Sequence, residues 1–307
     1  MSRQLVVGID LGGTKVRAGV AAIDGTLLDE VVELTRIGAD LVPQITDLVA
    51  MLRDRVGGGE VLVTAIGGAG VPDGDQGTFD LAPNLGDLGQ FGLVAELEAA
   101  LGHRVVLEND VNIAALGELA DGVGRGEDSF AFVAVGTGIG VGLVLNGALW
   151  TGASGGAGEV GYLPFGADPL DPANHRRGPL EERVAGDVLA RRYAEAVHGD
   201  LALTARDVFA RADIGDAAAI GAIDEEARWI AYVLVAIDAV VNPGLFVLGG
   251  GIGGRIELLP PLRNWLARLG RPSLRINVST LGSSAPILGA VRLALDILTT
   301  STEREPS

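Results

Sequence analysis

The feature that most constrains this chain is a pattern that occurs twice. An apolar run over residues 5–10 ends in an acid and is followed by the tight turn Leu11-Gly-Gly-Thr-Lys15. A second run, rich in Val and Ala, spans 16–23 and meets Asp24-Gly25, a strong hairpin signal; a third run returns over 26–34. The order then recurs: an apolar run over 130–135, the turn Gly136-Thr-Gly-Ile-Gly140, a run over 141–145, the hairpin signal Asn146-Gly147 and a short run over 148–150. We read this as an internal duplication in which each copy nucleates one lobe of an α/β protein. Two such hairpins facing each other can hold a triphosphate between them.

The rest of the chain fits two lobes. Helical periodicity covers 41–56, with Pro43 in the first turn, and Gly57-Gly-Gly59 ends it. A buried strand over 61–66 runs into Gly67-Gly-Ala-Gly70, then come a helix over 90–101, a strand over 105–107 and a helix over 112–119. From residue 180 the pattern is mostly helical, over 180–197, 204–212 and 217–241. A strand over 245–248, a helix over 261–269, a strand over 275–278 and a closing helix over 287–298 follow. The expected division is 1–110 plus 290–302 for the first lobe, 111–289 for the second and a frayed tail over 303–307. No low-complexity linker is present, so the lobes are expected to share a hinge.

Composition excludes several classes. The 307 residues are 48% hydrophobic and 21% charged, enough for a sizeable core. The net charge of −17 argues against nucleic acid and anionic membranes as partners. The absence of cysteine removes disulfides, thiol nucleophiles and thiolate metal sites, and is compatible with the cytoplasm. The start is too quickly polar for a secretory signal, and the longest apolar stretch, 229–237, falls short of the ~20 residues a span needs. Lys15 is the only lysine, and it sits beside a Gly-Gly-Thr turn.

That turn carries phosphate chemistry. Gly12 and Gly13 let backbone N–H groups approach phosphate oxygens, Thr14 adds a hydroxyl donor, and Asp10 at the strand end is placed to hold Mg²⁺. A Walker A loop is excluded by order, because Thr precedes Lys and a strand follows. Thr137 and Gly138 form the equivalent turn of the second copy. Gly249, Gly250 and Gly251 follow a strand; with Gly254 they spell a dinucleotide fingerprint, but no acid stands about twenty residues on, and the loop reads as packing against an adenosine or as purely structural. Gly152-Ala-Ser154-Gly-Gly156 spells a hydrolase elbow without the helix that an elbow needs. Glu108-Asn109-Asp110 joins a short strand to a helix; Asp110 reads as a general base with Asn109 fixing the acceptor, or the pair reads as an N-cap. Glu159 and Glu181 are candidate acceptors for vicinal hydroxyls, or solvated surface. His103, His175 and His198 lack partners at metal spacing and read as structural.

In order along the chain, these motifs resemble the ROK sugar kinases, which include bacterial glucokinases, fructokinases and N-acetylmannosamine kinases. Gly8-Ile-Asp-Leu-Gly-Gly-Thr-Lys15 is similar to the family's first phosphate motif and Gly136-Thr-Gly-Ile-Gly140 to its second. Glu108-Asn-Asp-Val-Asn-Ile-Ala-Ala-Leu-Gly-Glu118 resembles its catalytic segment, which makes Asp110 the base. Gly152 through Gly161 resembles its signature, placing Glu159 on sugar, and Gly178-Pro-Leu-Glu181 resembles the segment whose Glu also touches sugar. The resemblance implies an actin-like, ribonuclease H-like duplicated two-lobed ATPase fold with a cleft between lobes. It implies ATP and Mg²⁺ as cofactors, a small-molecule sugar substrate and a homodimer in the cytoplasm. The substrate set is expected to be Asn84, Asn109, Asp110, Glu159, Tyr162 and Glu181.

Two departures stand out. The family's zinc-sharing His, three residues after the signature Glu, is Tyr162 here, and the cysteine-rich zinc loop corresponds to 168–179 without cysteine. No zinc is expected, and the loop is predicted to be held by Pro179 and packing. The family's repressors carry a DNA-binding segment ahead of the first motif, whereas here the first strand begins almost at Met1. The leading expectation is a glucokinase-type hexose kinase; the alternatives are a non-catalytic sugar-binding sensor and a kinase for fructose or N-acetylmannosamine.

Overall fold

The computed structural model describes residues 2–73, 77–80, 92–199 and 202–302. Contacts divide the chain into two compact units, 1–125 with 151–156 and 283–307, and 126–150 with 157–282.

In the first unit, β1 (Gln4–Leu11), β2 (Lys15–Ala22) and β3 (Leu27–Leu34) form an antiparallel meander. Helix α1 (Leu41–Arg55) leads to β4 (Glu60–Gly68), the small hairpin of β5 (Val71–Asp73) and β6 (Thr78–Asp80), then α2 (Leu93–Leu101), β7 (Arg104–Asn109) and α3 (Asp110–Asp121). The five main strands lie in the order β3-β2-β1-β4-β7, with β4 and β7 parallel to β1. Strand β1 is apolar along nearly its whole length because both faces of the sheet are covered. Ile45, Leu48, Leu52 and Leu97 from α1 and α2 bury one face; Ile113, Ala290, Val291 and Ala294 bury the other.

The second unit repeats the arrangement with β8 (Phe130–Val135), β9 (Ile139–Leu145) and β10 (Ala148–Trp150) as its meander. Helices α4 (Gly186–Ala196), α5 (Ala205–Asp213) and α6 (Ala217–Val240) precede β11 (Leu245–Gly249). The single turn α7 (Gly250–Gly253), helix α8 (Leu259–Arg268) and β12 (Ile276–Val278) complete it. Its sheet order, β10-β9-β8-β11-β12, matches that of the first unit position for position, as the duplication predicts. The chain then returns to the first unit as α9 (Ala285–Thr302).

Some boundaries differ from expectation, each for a local reason. Helix α3 belongs to the first unit because it packs directly on α9: a Cβ at Gly289 would lie 1.7 Å from the Ile113 carbonyl oxygen, so only glycine permits the approach. The first unit accordingly runs to 125 rather than ending at 110, and its return segment starts at 283 rather than 290. The helix expected from 180 begins at Gly186. Residues before it are turns, because Leu180 N–H and Glu181 N–H both reach the Gly161 carbonyl, and Ala185 is fully extended. The hairpin at Asn146-Gly147 has both residues at positive φ, 55° and 73°, as a type I′ turn requires. The tail over 303–307 lies outside the described residues.

Candidate active site

The carboxyl ends of parallel strands are where open α/β sheets gather their chemistry. In the first unit, Asp10 near the end of β1 is in register with Gly67 of β4, and Gly68 of β4 is in register with Asn109, the last residue of β7. The register therefore brings Asp10, the first glycine turn and the Asn109–Asp110 corner to one edge of one sheet.

The turn is closed by Gly12 N–H donating to the Lys15 carbonyl at 3.0 Å. Thr35 braces it from β3's end, its hydroxyl donating to the Gly12 carbonyl at 2.6 Å and its N–H to the Thr14 carbonyl at 3.0 Å. Gly13, Thr14 and Lys15 are exposed, and neither Gly13 N–H nor Thr14 N–H donates to a described residue. Asp10 is mostly withdrawn from solvent; burial raises its carboxyl above the usual 3.8, and the Arg17 charge only partly opposes this. Among the described residues it has no hydrogen-bond or ion-pair partner. A desolvated carboxylate without a protein partner fits a divalent cation. No cluster of three or more His, Asp or Glu surrounds it among the described residues, so such an ion would take its remaining ligands from phosphate and water, as Mg²⁺ does.

Asn109 caps α3. Its Oδ1 accepts from Val111 N–H at 2.9 Å and Asn112 N–H at 3.1 Å, while its Nδ2 donates to the Gly70 carbonyl at 3.0 Å. The N-cap alternative is thus realised at Asn109, whose oxygen already serves two amides. Asp110 is the first residue of the helix, and its Oδ1 accepts from Val111 N–H at 2.9 Å, which fixes the carboxylate's orientation. Sequence reasoning passed over Glu108. Its carboxyl accepts from Asn109 N–H and from Asn112 Nδ2, both at 2.9 Å, and burial raises it above the usual 4.5. An acid one residue before a strand's end, next to a helix start, is the signal that could have found it. Asn84 lies outside the described residues.

The second unit holds the other candidates. Ala134 of β8 pairs with Gly249 of β11, so the Thr137–Gly138 turn and the Gly249–Gly251 loop share a strand-end edge. Gly136 N–H closes the turn on the Gly138 carbonyl at 2.9 Å, leaving Thr137 exposed. Gly249 and Gly250 have structural reasons to be glycine: a Cβ would lie 2.3 Å from the Phe132 ring or 2.4 Å from the Val135 carbonyl oxygen. At Gly251 a Cβ would meet nothing within 4 Å, so this residue alone faces open space.

Glu159, Tyr162 and Glu181 come together electrostatically. Partial withdrawal from water, then the Glu181 charge, raises the Glu159 carboxyl above 4.5, although the residue's outer side stays solvent-exposed. Burial and both carboxylates raise the Tyr162 hydroxyl above 10. That hydroxyl donates to the Arg176 carbonyl at 3.4 Å. Glu181 is already engaged, accepting from Ile139 N–H at 3.1 Å and from Arg177 Nε at 3.2 Å. Arg177 escaped the sequence reading, because Glu181 four residues on sits in turns rather than a helix, and its other partners, Thr137 and Asp187, lie on other segments.

The loop over 168–179 differs from expectation in what holds it. Polar bonds do most of this: Asp168 accepts from Leu170 N–H, Asp171 from Ala173 N–H, and Asn174 Nδ2 donates to the Asp168 carbonyl, each at 2.9 Å. His175 Nε2 reaches the Pro169 carbonyl at 2.9 Å. Pro179 contributes its carbonyl, which accepts from Ala167 N–H.

The duplicated sheets with glycine turns at their strand ends define an actin-like ATPase fold. Residues 6–297 match the ROK family model, and the chain belongs to that family. A glucokinase of Halalkalibacterium halodurans is 30% identical over 316 aligned positions, covering 94% of each chain. The crystal structure of a ROK hexokinase from Thermus thermophilus superposes with a TM-score of 0.84 at 31% identity, over 96% of this chain and 99% of that one. A ROK glucokinase from Streptomyces griseus, solved with glucose and AMPPNP, gives 0.79 at 30% identity, over 95% and 99% of the two chains.

Proposed function

We propose that this sugar phosphotransferase transfers the γ-phosphoryl group of ATP to a hydroxyl of a hexose, glucose foremost, with Asp110 as the general base. The observation that carries the reading is the gathering of Asp10, the Gly12–Lys15 turn and Asp110 at one strand-end edge, with Asp110 oriented by Val111 N–H. In this reading Gly13 and Thr14 donate to phosphate oxygens, and Lys15 adds positive charge. Thr137, Gly138 and Gly251 supply the second set of nucleotide contacts, while Glu159, Tyr162 and Glu181 accept or donate to sugar hydroxyls. Asp10 would hold Mg²⁺, which neutralises charge on the transferring phosphate. Asp110 takes the proton of the attacking hydroxyl as its oxygen bonds the γ-phosphorus and the bond to the β-phosphate oxygen breaks. A helix N-terminus lowers the basicity of Asp110, but a loose phosphoryl-transfer transition state demands little of its base, so orientation dominates.

ADP release with ATP and Mg²⁺ across hexoses and N-acetylhexosamines, run beside Asp110→Ala, tests the reading. Sugar-dependent release should fall by about 10²-fold or more in the variant, with sugar binding retained. Near-wild-type turnover in the variant rejects the base. No release with any sugar, from folded protein, rejects the kinase and leaves a sugar-binding sensor. A preference for fructose or N-acetylmannosamine moves the substrate, not the chemistry.

A further inference from the structure

We infer that Arg177 is a positioning residue that ties the sugar carboxylate Glu181 to the second glycine turn, so that ligand at one favours ligand at the other. The inference rests on the proposed roles of Glu181 and the Thr137–Gly138 turn. Its basis is a closed circuit of contacts within the second unit. Arg177 Nε donates to Glu181 Oε1 at 3.2 Å, and Glu181 Oε2 accepts from Ile139 N–H at 3.1 Å, where the turn enters β9. Arg177 Nη2 returns to the same turn at the Thr137 carbonyl, 3.5 Å away. Its Nη1 and Nη2 also grip Asp187 in a two-pronged pair at 2.9 and 3.0 Å, in the first turn of α4. Gly186, which starts that helix, donates its N–H to the Gly136 carbonyl at 2.8 Å. One guanidinium therefore bridges the carboxylate, the turn and the helix that abuts the turn.

The arrangement is tight enough to transmit a displacement. A Cβ on Gly138 would lie 2.3 Å from Glu181 Oε2, so the carboxylate lies flush against the turn. A carboxylate has about four lone-pair sites, of which Ile139 and Arg177 occupy two, so sugar hydroxyls can bind to the rest without breaking the circuit. A sugar that fixes Glu181 then also fixes Ile139 and, through Arg177, Thr137. The planar five-donor fork suits this task in a way that an ammonium does not. Linkage requires the effect to be reciprocal: nucleotide at the turn must tighten sugar binding by the same factor.

The test is isothermal titration of AMPPNP, with Mg²⁺, into full-length protein with and without saturating glucose, for wild type, Arg177→Met and Arg177→Lys. Steady-state KM and kcat are measured in parallel, with the sugar preferred by wild type in place of glucose if they differ. Wild type should bind AMPPNP at least about fivefold tighter with sugar present, the low end of typical coupling. Both variants should reduce that factor by half or more and raise both KM values more than they lower kcat. A purely structural role would lower melting temperature while leaving the factor unchanged for folded protein. Arg177→Lys keeps the charge and secures the test if Arg177→Met does not fold. A folded variant with the wild-type factor, or an active wild type with no coupling, overturns the inference. A wild type that releases no ADP with any sugar overturns the kinase reading instead, and this inference with it.

Discussion

Asp10 and Arg17 stand opposite each other across the β1–β2 ladder, yet Arg17 donates Nη1 to the Ser283 carbonyl at 2.7 Å and forms no ion pair with the acid. The carboxylate is left desolvated and only weakly compensated, a cost to stability that function explains if a cation is held there. Asp10→Asn removes the charge at constant shape. A carboxyl raised in the folded state contributes stability that is present below its unfolded value, near 3.8, and lost as pH rises through the folded value. The variant should therefore match wild type in thermal melts near pH 3.5 and exceed it at pH 7. Its kcat/KM for the nucleotide should fall by about 10–100-fold, with the Mg²⁺ requirement shifted to higher concentration. Higher stability without loss of activity would remove Asp10 from the site.

The duplication was legible because its punctuation is local. Asp24-Gly25 and Asn146-Gly147 specify hairpins by chemistry confined to the turn, and the runs flanking them read as strands. Asn109 was readable as a cap for the same reason. Arg177 was not, because its meaning lies in Glu181, Thr137 and Asp187, which only the folded chain brings together. The false start of α4 has a similar origin: Leu180 and Val184 have helical spacing, but the Leu180 and Glu181 N–H groups go to the distant Gly161 carbonyl. The loop over 168–179 has no cysteine, and its Asp and Asn side chains hold it by bonding local backbone, a role short polar side chains adopt readily.

Glu226 and Arg192 form a buried pair in the second unit at 2.8 Å, with Glu226 wholly inaccessible and its Oε1 without a partner. Burial outweighs the Arg192 contacts and pushes the carboxyl up to about 7. Wild-type stability should accordingly decline as pH rises from about 4.5 to about 7, where the folded state must give up a proton it prefers to keep. Glu226→Gln should flatten that part of the profile. Arg192→Met should cost about 3–5 kcal/mol at pH 9, because it strands a buried charge, and less at pH 5, where the acid is protonated. Arg192 also donates to the Ala222 and Arg183 carbonyls, so the loss at pH 5 should not vanish. Urea unfolding at the two pH values checks the ordering.

Glu159 offers a trade between stability and affinity. Its carboxyl is raised by partial desolvation and by the Glu181 charge, so ionisation works against the fold. Glu159→Gln should leave stability unchanged below about pH 4 and increase it progressively above the usual 4.5. Sugar KM should rise about tenfold to a hundredfold, the worth of a hydrogen bond to a charged group, while nucleotide KM measured at saturating sugar changes little. A rise confined to nucleotide KM would place Glu159 away from the sugar.

Gly138→Ala probes the contact between the turn and Glu181 directly. The added Cβ would sit 2.3 Å from Oε2 and 2.9 Å from the carboxyl carbon, and the side chain cannot simply swing aside while Ile139 and Arg177 hold it. Overpacking of this kind typically costs about 1–3 kcal/mol. The expected outcome is a lower melting temperature together with a raised sugar KM, since the carboxylate must leave its place. Gly251→Ala is the control, because a Cβ there meets nothing within 4 Å; it should leave stability intact, and any change confined to nucleotide KM would report ligand contact. Combining Gly138→Ala with Glu181→Ala closes a double-mutant cycle. The alanine at 138 should cost clearly less stability once the carboxylate is gone, with an interaction energy of about 0.5–3 kcal/mol. Strict additivity would mean that the turn does not depend on Glu181.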